Sequence, residues 1–410
     1  MSSRTAKMIV SVLMAASLLV IGLSYAGILP SAAGPGAATE PGSPDASNAT
    51  ANRPSGSQVT AGSTPAAATT VPTTTRILQP LPIETKDPEP TPAQGMRQWP
   101  AASCLPAVHT ADLAAIRSQA SSARPLQDVT VILDPGHGGK DGGTSYPNNA
   151  ANPEIIEKTI ALSVANQTRS LLADQGATVL MTREKDDWLS VYNRVAQAGC
   201  VILDRFTAEL PGQGFTSTGI DHLLPQLKSM ISINSDTADS GGRGLMKGVG
   251  ATADARLLLD IQGQYPDILF ISLHCNAMGD GNKVGGLQIF YQTNDSNYKK
   301  ETSYVKYQAS AANPPAYMAY NDAGRLKLAN SLYRGILEQV PQLECKGNSG
   351  VLIGDYAVLR EINLVSALVE MGFVTSPTDR EILKSTDGQR KIAQGVANAV
   401  LAYYCGDAGK

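Results

Sequence analysis

Two imidazoles and two carboxylates hold most of the chemistry that this sequence offers: His137, Glu157, His274 and Glu370. Three of them stand where an apolar run stops. Val129 to Leu133 leads into Asp134-Pro135-Gly136-His137-Gly138-Gly139. Asp267 to Leu273 ends in His274-Cys275-Asn276-Ala277, and Val365 to Val369 ends in Glu370-Met371-Gly372. Short runs of β-branched and aliphatic residues like these are strands buried on both faces. Glu157 lies in the first turn of the helical stretch after the first run. In open α/β sheets ligands bind at the carboxyl ends of the strands. Four groups spread over most of the domain can therefore meet along one sheet edge. Two imidazoles and one carboxylate are a common ligand set for a catalytic zinc ion, which lowers the pKa of a bound water to about 7. A second carboxylate beside it can take that water's proton and return it to the leaving group. The set amounts to a metal hydrolase without a Ser or Cys nucleophile.

Each residue also has a plainer reading. His137 could be a surface turn residue, His274 a satisfied core histidine, and Glu157 a favourable charge at a helix N-terminus. Glu370 is hardest to explain away, because a carboxylate at the end of a buried strand is costly unless paired or metal-bound. His109 and His222 lie outside any strand-end context and read as exposed or structural. Asp134 is assigned to holding the turn, and the glycines beside His137 to giving a polymer room to approach.

The elements that must position these groups alternate between strand and helix. A helix with Asn152 as N-cap and Pro153 at its first position runs to Gly176. Strand Ala177–Met181 follows, then a helix over Trp188–Ala198 that carries Arg194. Strand Gly286–Gln292 comes later, and amphipathic helices cover Asp322–Val340 and Gln389–Tyr404. This rhythm predicts one α/β domain over 128–405, with a twisted, largely parallel central sheet flanked by helices and the site at the strand C-terminal ends. Residues 199–266 break the rhythm and read as an insertion, with helical pieces at Asp221–Ile233 and Ala253–Gln262. Residues 97–127 are a lead-in with a short helix within Thr110–Ser121.

Arg4 and Lys7 precede an apolar run from Met8 to Leu29, so 1–29 is a signal peptide, with Ser24-Tyr25-Ala26 as a cleavage-type site, or a membrane anchor. Either sends the rest of the chain out of the cytoplasm. Residues 30–96, rich in Pro, Ala, Ser and Thr, read as a disordered linker. The net charge of −3 and the lack of a basic stripe argue against nucleic acid as a partner. The five cysteines cannot all pair within one chain, though one or two bridges would suit an oxidising compartment. Cys275 reads as a small buried apolar residue, a disulfide partner or a soft metal ligand; alternation along the strand, which turns it away from His274, favours the first.

The segments VILDPGHGGKDGG, IIEKTIAL, VLMTRE, NRVAQA, ILFISLHCNA, YAVLREIN and ALVEMGFVTSPTDREIL together resemble the zinc-dependent N-acetylmuramoyl-L-alanine amidases of the family-3 type. They occur in the family's order and cover most of 129–400 outside the insertion. The resemblance implies that His137, Glu157 and His274 bind zinc and that Glu370 is the catalytic carboxylate. Glu154 competes for the Glu157 role, but Lys158 and the placement on the helix favour Glu157. The substrate implied is the amide joining the lactyl group of N-acetylmuramic acid to L-Ala of the peptidoglycan stem peptide. Peptidoglycan would then be the partner and the cell wall the place of action, with membrane contact through residues 8–29 if they are not removed. Arg194 and Asn276 are candidates for substrate binding, with a structural role as the plainer assignment of each. The insertion stands where the family usually has a short connection. It is a candidate for regulating access, as the target of an activator protein, for shaping glycan binding, or for passive elaboration. The rival functions are another zinc amidohydrolase or peptidase acting on cell-wall peptides, and a non-catalytic wall-binding protein. The latter would need a broken site, and all four residues are present.

Overall fold

The apolar strands anticipated above form the centre of the structure. The computed structural model describes residues 75–80, 96–148, 150–279, 284–305, 313–345 and 350–406. The chain divides into Met1–Thr70 and Val71–Lys410, and every described residue belongs to the second unit. In chain order the described elements are β1 (Arg76–Ile77), α1 (Leu113–Ser118), β2 (Thr130–Pro135), β3 (Ser145–Tyr146), β4 (Ile155–Ile156), α2 (Glu157–Asp174), β5 (Thr178–Met181), α3 (Val191–Glu209), β6 (Phe215–Thr216), α4 (Leu223–Ile233) and α5 (Ala253–Gln262). They continue with β7 (Ile268–Asn276), β8 (Gln288–Tyr291), α6 (Asn294–Tyr304), α7 (Asp322–Gln339), β9 (Val351–Ile353), α8 (Ala357–Arg360), β10 (Val365–Phe373), α9 (Pro377–Lys384) and α10 (Thr386–Cys405).

The central sheet has the strand order β5-β2-β7-β10-β8-β9. All its pairs are parallel except β10 with β8. Successive side chains alternate between the two faces. Val131, Leu133, Leu269, Ile271, Ala367 and Val369 pack with α2, α7 and α10. Ile132, Phe270, Phe290 and Leu368 pack with α3, α4, α5 and α8. The same alternation puts Asp134, Ser272, His274 and Glu370 on the second face. The α/β architecture with a mostly parallel sheet is as the sequence predicts.

Three boundaries differ, each for a physical reason. The helix expected from Pro153 starts at Glu157, because Ile155–Ile156 is extended and pairs antiparallel with Ser145–Tyr146. The first amides of α2 then donate to loop carbonyls, Glu157 N to Thr144 O and Lys158 N to Gly142 O. The helix expected to end at Ala198 runs to Glu209, because Val195, Ile202 and Phe206 continue one buried stripe. The insertion therefore does not begin at 199. The 30–96 stretch, expected to be disordered, contributes β1, which pairs with β6, and Leu78 beside it is fully buried. The segment 1–29 lies outside the described residues. Among the described residues no helix is long and apolar enough to cross a membrane.

The stretch between α3 and α5 is a layer of the core. Leu210, Ile220, Leu223, Leu227, Met230, Leu245 and Met246 are each at most 3 % exposed and join the cluster on the second face. Burial of such side chains contributes about 1.5–3 kcal/mol apiece. The layer also clasps the start of α3. Asn234, held in the left-handed region at φ 48°, accepts from Ser190 N (2.9 Å) and donates to Trp188 O (3.0 Å), while Asp236 accepts from Tyr192 N (3.3 Å). Its far side meets α6, where Glu301 accepts from Gly250 N at 3.0 Å.

Excising residues 210–250 should consequently give insoluble or poorly packed protein, checked by near-UV circular dichroism and limited proteolysis. A soluble deletion with a native spectrum would contradict the layer. Glu301 supplies a second prediction. Burial first, and then the neighbouring Glu361, pushes its carboxyl up from the ordinary 4.5 to about 8. The unfolded chain loses this proton before the folded one does, so the group subtracts stability as pH rises from about 4.5 to about 8. Glu301→Gln should match the wild type in thermal midpoint near pH 4.5 and exceed it by several degrees at pH 8.

Candidate active site

The site starts with the buried end of β2. Asp134 accepts from Arg194 Nη1 (2.6 Å), Thr182 Oγ1 (2.7 Å) and Ser272 Oγ (2.7 Å). Burial alone would raise its carboxyl, but Arg194 and the two hydroxyls outweigh burial and hold it below the ordinary range. Arg194 also donates to Pro135 O (2.7 Å) and His137 O (2.6 Å). Arg183 donates to Pro135 O (3.0 Å) and Gly136 O (2.7 Å). Two guanidinium groups thus fix the carbonyls of the turn that presents His137. The histidine itself sits in the left-handed region, at φ 58°, a conformation that costs energy for a residue with a Cβ.

Glu157, at the start of α2, reaches in from the other face of the sheet. Its Oε1 lies 3.0 Å from His137 Nε2 and 2.8 Å from His274 Nδ1, and accepts from Cys275 N at 3.0 Å. Its Oε2 accepts from Thr144 N at 2.7 Å. Burial would raise this carboxyl, yet His137 and His274 pull it far below the ordinary range. For His137, burial lowers the imidazole while Glu157 and Asp141 raise it, with a net rise to about 10. The ligand-capable atoms of His137, Glu157 and His274 all lie within 4.8 Å of one another. Two imidazole nitrogens and one ionised oxygen that converge in this way fit a metal ion of the zinc type.

Glu370 completes the group from β10, in register with His274 on β7. It is only 8 % exposed, and its Oε2 has no hydrogen-bond partner among the described residues. Burial, with the Glu157 charge adding to it, pushes its carboxyl up to about 8. A carboxyl so raised beside a metal-capable cluster is suited to moving protons near neutral pH.

The family model described as N-acetylmuramoyl-L-alanine amidase matches residues 131–206 and 256–402. That is more than half of the 410 residues, and it includes His137, Glu157, His274 and Glu370. The chain belongs to the N-acetylmuramoyl-L-alanine amidase family. The family match skips 207–255, the layer described above. The chain is 25% identical over 273 residues to the amidase AmiC of Neisseria meningitidis serogroup B, covering 67% of this chain and 52% of that protein. It therefore spans about half the length of that relative. The germination-specific amidase of Bacillus subtilis is 24% identical over 280 residues, which are 68% of this chain and 81% of the relative. Among solved structures, AmiC2 of Nostoc punctiforme is 20% identical with a TM-score of 0.39, covering 67% of this chain and 97% of that one. A score that low decides nothing.

The other residues weighed in the sequence lie outside the cluster. Arg194 is 5 % exposed and donates to Asp134 and two carbonyls of the turn, so it holds the turn. Asn276 is half-buried on the sheet edge, donating to Gln288 Oε1 at 3.0 Å. Glu154 is exposed and pairs with Lys384 and Arg380, away from the cluster. All five cysteines are unpaired, so no bridge forms, and Cys275 is a buried member of the core on the α2 side. His109 is structural: its ring nitrogens lie 3.0 Å from Glu209 and 3.0 Å from Asp267, and it stacks on Tyr265 at 4.2 Å. His222 is exposed and pairs with Asp254.

The glycines at 136 and 143 do not open a path for a polymer. A Cβ on Gly136 would lie 2.3 Å from the His274 ring, and one on Gly143 would lie 2.4 Å from Glu157 and 2.6 Å from His137. The ligand side chains themselves fill that space. Two positioning residues went unread in the sequence. Arg183 is one. Asp141 is the other, accepting His137 Nδ1 at 2.8 Å and Gly143 N at 3.0 Å. An Asp four residues after a His in a Gly turn was the available signal. Such a carboxylate fixes the tautomer of a metal-ligating imidazole.

Asp141→Asn should lower zinc affinity roughly 10–100-fold while leaving the fold intact, read by competition against a chromophoric chelator. Unchanged affinity would contradict the orienting role.

Proposed function

We propose that this chain hydrolyses the amide between the lactyl group of N-acetylmuramic acid and L-Ala of peptidoglycan stem peptides, with zinc as its metal. The observation that supports this most is the convergence of His137, Glu157 and His274 beside a buried Glu370 carboxylate with a free oxygen. Family membership supports the choice of bond. His137, Glu157 and His274 would hold the ion. When bound, zinc supplies Lewis acidity toward the amide carbonyl and makes a water more acidic. Glu370 takes the proton of the attacking water and delivers it to the amide nitrogen as the C–N bond breaks, releasing the peptide with a free L-Ala amine. Asp141 keeps the His137 ring turned so that Nε2 faces the ion. Arg194 and Arg183 hold the backbone of the turn still, so the imidazole needs no rearrangement during turnover.

The substrate lies outside the cytoplasm, which agrees with residues 8–29 serving as an export signal or an anchor. An activator protein remains part of the proposal only in a restricted form. The layer between α3 and α5 is too deeply packed to be lifted away as a cover, so a partner would act on its exposed loops. One of the solved structures similar to this chain is the CwlD amidase from Clostridioides difficile in complex with the GerS lipoprotein.

Purified sacculi treated with the zinc-loaded protein should release peptides beginning with L-Ala, identified by amine labelling and mass spectrometry. Glu370→Gln should bind zinc as the wild type does while losing at least about 10²-fold in rate. Cuts inside the peptide, or full activity in the variant, would overturn the proposal.

A further inference from the structure

The row of side chains on the site face of the sheet does not stop at Glu370. β8 runs beside β10, and Gln288 is the register partner of Glu370. Directly opposed residues of an antiparallel pair share a face, with Cβ atoms about 5 Å apart. The packing agrees with that placement. Ile289 lies in the core on the α2 side, whereas Phe290 and Leu368 lie in the core of the other face. Gln288 therefore stands next to Glu370, on the same face and at the same end of the sheet. From the end of β2 across β7 and β10 to β8, the order is His137, His274, Glu370, Gln288.

The amide of Gln288 takes its orientation from the backbone. Ala277 N donates to Asn276 Oδ1 at 2.8 Å, which leaves the Asn276 amino group to donate to Gln288 Oε1 at 3.0 Å. Asn276 is itself held, since its carbonyl accepts from Val374 N at 2.8 Å. With the oxygen of Gln288 engaged, its free end is Nε2, an amino group with two N–H donors. Those donors have no partner among the described residues. Glu370 Oε2 is also without a partner there, so the Gln288 amide is not spent on the proton carrier. The side chain is half-buried, which leaves the donors open to a ligand. An uncharged donor fixed beside two carboxyl groups suits a carbonyl oxygen better than an anion, which the Glu157 charge would repel.

The direction of the substrate follows from the chemistry. The amine leaves with the proton that Glu370 delivers, so the peptide half lies on the Glu370 side of the scissile bond. The next strand on that side is β8, about 4.8 Å away. One extended residue spans about 3.5 Å, and the Gln288 side chain covers the difference. We propose that Gln288 is a substrate-binding residue whose Nε2 donates to the carbonyl oxygen of the departing L-Ala, with Asn276 holding the amide in that orientation. This rests on the amidase reading above and adds to it the residue that receives the leaving half.

The test compares two soluble substrates in the full zinc-loaded chain: N-acetylmuramoyl-L-alaninamide, and N-acetylmuramoyl isopropylamide, which lacks only the carboxamide. Gln288→Met should raise KM for the alaninamide about tenfold, the size of one lost neutral hydrogen bond, with kcat within about twofold of the wild type. For the isopropylamide the variant and the wild type should agree within about twofold. Gln288→Ala, in which water can answer Asn276, should repeat this pattern. Zinc content should stay at the wild-type level in both variants. A wild type that does not distinguish the two compounds would overturn the inference while leaving the amidase reading intact. So would an equal loss on both compounds, which would make Gln288 a partner of Glu370 instead. Sacculi left uncut by the wild type would overturn the reading and the inference together.

Discussion

The buried pair of Asp134 and Arg194 is the interaction on which the site is built. It closes the end of β2, and through Thr182 and Ser272 it ties β2 to both flanking strands. Removal of one partner from a buried pair costs roughly 3–5 kcal/mol, because the other charge is left without an answer. The same guanidinium grips the His137 carbonyl, so the charge that anchors the sheet also sets the angle of the turn. A helix on one face of the sheet thereby governs a loop at its edge.

Glu157 is the second point at which distant elements meet. Its two oxygens engage both histidines, the amide of Cys275 and the amide of Thr144. The helix could not begin earlier without withdrawing this side chain from the cluster, and the β3–β4 pair delays it by the needed residues. The carboxylate reaches the histidines across the sheet edge from the α2 side, whereas Glu370 approaches from within the sheet. Their environments separate the two carboxyls strongly, one driven down by imidazoles and one driven up by burial. Such a split is consistent with the proposal that Glu157 holds a cation and Glu370 carries a proton.

Much of this was legible in the residues. Apolar runs ending in His137, His274 and Glu370 located the strand ends, since buried parallel strands have few other ways to be written. Cys275 was correctly turned away from His274 by simple alternation. The failures also have causes. Asn152-Pro153 has the composition of a helix start, but tertiary pairing of Ile155–Ile156 overrode it. The insertion was expected to begin at 199, whereas α3 runs on to Glu209 and the family match skips 207–255; its glycines hide how many of its apolar residues are buried. Asp141 and Arg183 act through hydrogen bonds to a tight turn, and no periodicity announces such contacts.

One helix joins the parts that the family match includes to the part it skips. α3 carries Arg194 near its start and Phe206 near its end, with Glu209 holding His109 beyond that. At 19 residues it is about 28 Å long. Its first turn is clasped by Asn234 and Asp236, so both of its ends depend on residues outside the family match. Local melting of that layer would release the helix, and with it the turn of His137. Loss of that layer would therefore cost the arrangement of the site as well as the packing.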